Sequence, residues 1–169
     1  MLQPLDLLLA LKIAVNDKPF TQTMLGYDLN VSVSQINRAL NSCSKSGLVD
    51  RKSLRVSRLA LFELISHAVK YVYPVSLGPI ERGMPTAHSA SPLRELLNEN
   101  EDMVVWPNPE GEVRGESVIP LYKTAPYAAQ KDAKLYEALV LVDALRIGRA
   151  RERNIALDLL KTRLVGQND

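Results

Sequence analysis

The pattern of apolar and polar positions divides the 169-residue chain into three parts, residues 1–73, 74–127 and 128–169. In the first part, apolar residues recur at the spacing of one helix face. The last part is helical by the same criterion. Around Ala138 it is apolar on all sides, so its main helix should be buried from several directions. The helices predicted by these patterns span about 4–16, 22–29, 33–46, 58–72, 133–147 and 149–164.

The middle part differs in kind, because residues 74–127 hold eight of the ten prolines. This density excludes long helices, whereas the recurring apolar residues predict an ordered, loop-rich layer. A Ser-Pro start signal predicts a short helix at about 92–99. Residues 103–106 and 117–122 are predicted as short strands around a turn rich in Gly, Pro and Asn. The chain as a whole is therefore predicted to be mainly α, in the α+β class.

The segment from Leu25 to Leu40 predicts two helices joined by a tight turn. Gly26 lies where the two helices would cross, a place that admits only a small side chain. Asn30 occupies the turn, where the backbone adopts a left-handed conformation that Asn tolerates better than most residues. Ser32 can cap the start of the second helix. The exposed positions of that helix carry hydrogen-bonding side chains suited to base edges in a major groove.

These features resemble the helix-turn-helix of bacterial transcription regulators, and Ser46 to Arg51 resembles the exit into the wing of MarR-type winged helices. The resemblance covers about residues 5–73 and implies binding to double-stranded DNA. The segment 51–56 departs from the family, since it is long enough only for a stub wing or a single strand. The candidate base-reading residues are Ser34, Gln35, Asn37, Arg38 and Asn41. The candidate phosphate contacts are Ser32, Arg51, Lys52, Arg55 and Arg58.

The charge distribution supports this interpretation more than the net charge of +2 does. Residues 1–73 carry nine Lys or Arg against five Asp or Glu, whereas residues 74–127 carry four against eight. The positive excess thus lies on the predicted DNA-binding part.

The single cysteine, Cys43, excludes an intramolecular disulfide framework. It is either a half-buried small side chain or, beside Arg38 and Lys45, a redox-sensitive thiol of lowered pKa.

Other chemistries find little support in the sequence. His88 lies near a serine and a glutamate, but no nucleophile elbow accompanies them. No metal-ligand spacing surrounds His67 or His88, so we expect no enzyme activity, metal or other cofactor.

Trp106 and Tyr122 could line a small effector pocket, although core packing is the alternative. The apolar segment from Leu5 to Val15 is too short to span a membrane and lacks the basic start of a signal peptide, so a cytoplasmic protein is expected.

We therefore predict a sequence-specific DNA-binding regulator, acting as a repressor at a palindromic operator. A homodimer is expected because one short recognition helix gives little specificity against a genome. Residues 128–169 are the predicted dimerisation region, because the run from Leu135 to Leu145 is too apolar on all sides to be satisfied by one helix face. The alternative is a winged-helix adaptor that binds another protein, for example as an antitoxin-like partner. Four arginines follow the apolar run, namely Arg146, Arg149, Arg151 and Arg153. Either the helix continues through Gly148, or these arginines meet DNA or carboxylates of the acidic middle part.

Overall fold

The computed structural model describes residues 1–97 and 102–166, and the fold is α+β with helices predominating. The four helices predicted in the first part are confirmed, with ends that differ by two residues at most. The elements of this part are α1 (Pro4–Ala14), α2 (Gln22–Leu29), α3 (Val33–Lys45), β1 (Val49–Asp50), β2 (Arg55–Val56) and α4 (Arg58–Val72).

The turn between α2 and α3 has the local geometry that its residues predict. The Thr21 side chain caps α2 by accepting a hydrogen bond of 3.1 Å from the Met24 amide. Asn30 ends α2 in the left-handed conformation, with φ of 54° and ψ of 49°. A Cβ atom at Gly26 would lie 2.9 Å from the carbonyl oxygen of Val31, which is too close for an unstrained side chain. Local signals therefore fix both helix ends and the close approach between them.

The segment after α3 forms a two-stranded hairpin of minimal length. Val49 pairs with Val56 and Asp50 with Arg55, in antiparallel register. The Asp50 carboxylate accepts hydrogen bonds from two backbone amides in the tip, including that of Ser53 at 2.7 Å. The predicted stub is thus an ordered turn held by its own aspartate.

The middle part is built on three short strands, each of which pairs with the other two. The first strand is antiparallel to both partners, and the other two strands are parallel to each other. The predicted strand at 103–106 is confirmed, but the one at 117–122 is wrong, because the pairing residues end at Ser117. Two short helical segments lie between the first and the second of these strands. The elements are β3 (Ile80–Pro85), a 3-10 turn (Ala87–Ser89), α5 (Leu93–Leu96), β4 (Val104–Pro107) and β5 (Val113–Ser117).

Sequence patterns miss β3 because its pairing depends on contacts between distant residues. A Cβ atom at Gly83 would lie 2.0 Å from the carbonyl oxygen of Trp106, so only glycine fits where β3 meets β4. The strand itself shows no alternation of apolar and polar residues that would predict it. The predicted helix at 92–99 is present only as the four residues of α5, since Leu97 is extended and residues 98 and 99 lie outside the described residues.

The last part consists of α6 (Ala125–Lys131), α7 (Ala133–Ile147) and α8 (Ala150–Leu164). Helix α7 is central, because it packs against α1, α4, α6, α8 and the 3-10 turn. Residues 138–145 are buried by these neighbours, and one core cluster contains residues of all three parts. The run from Leu135 to Leu145 is therefore not available as a dimer surface, since one chain already covers it. The assignment of the dimer contact to residues 128–169 stays a prediction.

Asp143 of α7 is a buried carboxylate that joins the middle part to the helices. It accepts hydrogen bonds of 2.7 Å from the Thr86 hydroxyl and the Trp106 indole, and one of 2.9 Å from Arg146. Burial raises the pKa of this carboxyl, and the three donors oppose the rise. Such a charge is tolerated in the core because each of these donors compensates part of its lost hydration.

Arg146 extends the same network to two further segments. Its guanidinium donates to the carbonyl oxygens of Tyr73, at the end of α4, and Ile119, after β5. One ion pair thereby connects α4, α7, β4 and the segments that flank β3 and β5. Arg146 pairs with a carboxylate of its own helix and not with one of the acidic middle part, where its partner was expected.

We predict that Asp143→Ala lowers the free energy of unfolding by about 3–5 kcal/mol, because it leaves Arg146 buried without its counter-charge. Urea denaturation followed by circular dichroism measures the change. Asp158→Ala is the matched control, since Asp158 is an exposed aspartate of α8 and its loss should change stability by at most about 0.5 kcal/mol. Equal small losses for both variants would contradict a central role for the buried pair.

Candidate nucleic-acid interface

Helix α3 buries one face and exposes the other. Ile36, Ala39, Leu40 and Cys43 are buried against α1 and α2. The opposite side carries polar and basic groups, which is the arrangement a helix needs to pack on its own domain and face a ligand at the same time. Four of the five candidate base-reading residues lie on that opposite side at helical spacing, namely Ser34, Asn37, Arg38 and Asn41.

A row of half-buried carboxamides runs across this side of α3, whereas Ser34 and Arg38 are exposed. Asn41 donates to the Asn37 side chain, and Asn37 donates to the Gln22 side chain, both at 3.4 Å. Gln22, the first residue of α2, is a member of this row that sequence reasoning missed. Its position at the start of α2 was the available signal, because the predicted helix-turn-helix would bring that end next to α3. Arg38 is exposed and has no hydrogen-bond or ion-pair partner within residues 1–97 and 102–166.

Gln35 has a different role from the one predicted. Its side-chain oxygen accepts hydrogen bonds from the Ser32 amide at 3.0 Å and the Ser32 hydroxyl at 3.1 Å. Its side-chain nitrogen lies 3.4 Å from the hydroxyl of Tyr122. The Ser32 hydroxyl in turn accepts from the Gln35 amide, which completes a capping box. Both residues therefore use their polar groups to start α3, and the Ser-x-x-Gln spacing was the signal for this role.

The four cations near the hairpin separate into two groups. Arg51, Lys52 and Arg55 are exposed around the hairpin. Arg58, the first residue of α4, instead donates to the Asp17 carboxylate at 3.1 Å. It also lines a cavity of about 450 Å³ with residues of α1, α7 and α8. Three of the four predicted phosphate contacts of this segment are thus exposed at the hairpin, whereas Arg58 is paired with Asp17.

Trp106 and Tyr122 do not form the effector pocket considered from the sequence. Trp106 is 1% exposed, packs against the Tyr136 ring at 5.7 Å between centroids, and donates to Asp143. The Tyr122 hydroxyl reaches α3 at Gln35. The alternative of core packing therefore holds for Trp106, and Tyr122 connects the segment before α6 to the start of the candidate recognition helix.

Cys43 is unsuited to redox sensing. Its thiol is buried and donates to the Asp6 carbonyl oxygen at 3.4 Å. Burial, with a smaller contribution from the Asp6 charge, raises its pKa to about 12. The hypothesis of a lowered pKa is wrong because the side chain points into the core, away from the cations of α3.

His88 faces a small polar cavity of about 250 Å³ between the strands and α8. Its Nε2 atom lies 2.9 Å from the carbonyl oxygen of Asp102, and Glu116 and Glu152 line the same cavity. Over the described residues, no three His, Cys, Asp or Glu side chains converge as metal ligands would. The geometry of this cavity therefore adds no argument for catalysis by His88.

One flank of α2 is fixed by an ion-pair network. Lys12 of α1 is nearly buried and lies 2.7 Å from Asp132 and 3.4 Å from Asp28. Asp132 also accepts from Asn16 and caps α7 by accepting from the Leu135 amide. Burial alone would raise the pKa of Asp132, but the hydrogen bonds from Lys12 and Asn16 hold it below its usual value. This network ties α1 and α2 to the start of α7.

Comparison with known proteins adds no family to this geometry. No protein-family model, curated protein or solved structure matches the chain. Among the helices of the described ranges, none is long and apolar enough to cross a membrane.

We predict that the contribution of Asp132 to stability depends on pH with a defined sign. The pKa of its carboxyl is lowered in the folded state, so the stabilisation is complete above the ordinary Asp pKa of about 4 and is lost as pH falls through the lowered value. Asp132→Asn should cost roughly 2 kcal/mol at pH 7 and much less at the lowest pH where the protein stays folded. Urea titrations of both proteins across this range test the prediction, and a difference that does not depend on pH would contradict it.

Proposed function

We propose that this protein is a sequence-specific regulator of transcription that binds double-stranded DNA through a winged helix-turn-helix with a shortened wing. In this proposal α2 and α3 form the helix-turn-helix and the β1–β2 hairpin is the wing. The observation that carries the proposal is the exposed side of α3, where Arg38 is open to solvent beside the amides of Asn37 and Asn41. The helix caps and the close crossing at Gly26 support it.

The chemistry of these side chains suits base readout in the major groove. Arg38 can donate two hydrogen bonds to the O6 and N7 atoms of guanine, and an Asn amide can pair with N6 and N7 of adenine. The bonds within the carboxamide row are long, at 3.4 Å, so exchanging them for bonds to a base costs little. Arg51, Lys52 and Arg55 would lie along the phosphates and set the register.

We further propose that the regulator acts in the cytoplasm as a homodimer on a palindromic operator and represses by occluding a promoter. The reason is the small number of base-reading side chains on one α3, which gives limited discrimination among genomic sites. Two copies with two-fold symmetry would place two recognition helices one helical turn of DNA apart. Since α7 is covered within one chain, the contact between copies would use other surfaces.

A winged-helix adaptor that binds another protein is the second candidate. It is favoured by large apolar side chains that remain exposed near the Arg146 network. Tyr71 and Ile119 are 71% and 72% exposed, and the carbonyl oxygens of Tyr73 and Ile119 both accept from Arg146, so these segments are neighbours. Exposed apolar groups that lie together are typical of protein contacts. An adaptor of this kind, for example an antitoxin-like partner, would co-purify with its target and show no sequence preference on DNA.

We predict that selection from a random duplex pool enriches a defined sequence, and that Arg38→Ala weakens binding to it by about 1–3 kcal/mol. The same variant should lose much less on unselected DNA, because a base contact carries the difference. Lys45→Ala is the control, since Lys45 is exposed in the last turn of α3 and should act on both DNAs alike. Fluorescence anisotropy titrations measure both affinities. Equal losses on the two DNAs for Arg38→Ala would remove it from base readout.

A second prediction concerns the hairpin. Replacing Arg51 and Lys52 by Gln should reduce the slope of log affinity against log salt by about 0.9 for each phosphate that the protein no longer neutralises. Arg58→Gln should change the slope less, because its guanidinium is paired with Asp17. Titrations at several salt concentrations give the slopes. An unchanged slope for the double variant would place the hairpin away from the duplex.

A further inference from the structure

Helix α6 lies directly beside the candidate helix-turn-helix. It packs against α2, and Tyr122, three residues before α6, reaches Gln35 at the start of α3. The surface next to this junction is lysine-rich. We name it the basic flank and define it by the exposed residues Lys18, Lys123, Lys131 and Lys134.

The charge of this surface is not cancelled by the acidic residues around it. A cavity of about 350 Å³ is lined by four lysines, Lys12 and three members of the basic flank, and by two aspartates, Asp28 and Asp132. Both aspartates already contact Lys12, at 3.4 and 2.7 Å. Four lysines against two aspartates leave a formal charge of +2 around this cavity, so the surface attracts anions.

Two members of the basic flank are held in position by aromatic rings. The Lys131 ammonium lies 4.5 Å from the ring centre of Tyr27 and 4.3 Å from that of Tyr127. The Lys18 ammonium lies 5.0 Å from the ring centre of Phe20. Cation–π contacts of this kind restrict the long lysine side chains before an anion arrives, which reduces the entropy lost on binding.

The spread of the lysines favours an extended anion over a compact one. Lys18 precedes α2, whereas Lys131 contacts Tyr27 near the end of α2. Three members of the basic flank line one cavity, whereas Lys123 precedes α6 and Lys131 is its last residue, about 10 Å further along the helix axis. A duplex suits a positive surface of this length, because it carries a phosphate charge about every 1.7 Å along its axis.

We propose that the basic flank binds the phosphodiester backbone of the same duplex that α3 reads. The segment from Tyr122 to Lys134 is then a third DNA-contacting element, beside the helix-turn-helix and the hairpin. This inference rests on the proposed function, since it assigns a further contact to the same complex. It explains why α6 is attached to α2 and why the lysines around that junction are ordered by tyrosine and phenylalanine rings.

The test uses the full-length protein and the duplex enriched by selection. Replacing Lys131 and Lys134 by Gln should reduce the slope of log affinity against log salt by about 0.9 for each phosphate left without its lysine, with sequence preference unchanged. Hydroxyl-radical footprinting should show fewer protected backbone positions at one edge of the site. The matched control replaces Lys70 and Lys161 by Gln, two exposed lysines in the last turns of α4 and α8. This control should keep the wild-type slope and footprint.

The outcomes separate the two proposals. An unchanged slope and footprint for Lys131→Gln with Lys134→Gln would overturn the basic flank and leave the proposed function intact. Binding of inorganic phosphate or adenosine monophosphate, abolished in that variant while its slope on DNA stays unchanged, would overturn it in favour of a small anion. A wild-type protein that enriches no duplex would overturn both proposals. Circular dichroism of each variant confirms that the fold is retained.

Discussion

The buried ion pair between Asp143 and Arg146 is the constraint on which the arrangement of the other elements depends. Their side chains are 2% and 5% exposed, so neither charge recovers its hydration from solvent. Each charge must be satisfied by protein groups, and the groups that do so come from segments far apart in sequence, at Thr86, Trp106 and Tyr73. A hydrophobic pair of equal volume could fill the same space, but it would not dictate which segments meet there.

A second polar network fixes the opposite end of α7. Asp132 caps the helix and pairs with Lys12, while Asp143 lies about three turns further along the same helix. Helix α7 is thereby attached to α1 at its start and to the end of α4 near its finish. The segment from α2 to α3 is consequently not an independent unit on a flexible tether. Movement of α1 relative to the start of α7 would require breaking the contact between Lys12 and Asp132, which is costly in a nearly buried site. Movement of α2 relative to α1 would require breaking the contact between Lys12 and Asp28.

The sequence predicts well wherever a structure is determined by neighbouring residues. The helix ends follow from signals that act over only a few residues of the chain. These signals are the caps at Thr21 and Ser32, the left-handed turn at Asn30 and the small residue at Gly26. The three-stranded sheet is different, because β3 is stabilised by strands that begin some 20 to 30 residues later and by a glycine contact with Trp106. No local sequence pattern predicts the close approach of Gly83 to Trp106. The same limitation applies to Arg58 and Tyr122, whose partners are distant in sequence.

The candidate site was predictable as a surface but less so residue by residue. Helical spacing identifies which side of α3 faces away from the core, and Ser34, Asn37, Arg38 and Asn41 lie there. Gln35 shows the limit of reasoning from side-chain chemistry, because the carboxamide that can read adenine also completes a capping box. Its use in the cap leaves one α3 with few groups free to discriminate bases. If DNA is the ligand, the remaining affinity must come from phosphates and the remaining specificity from a second copy, so the cations around the helix carry as much of the function as the helix itself.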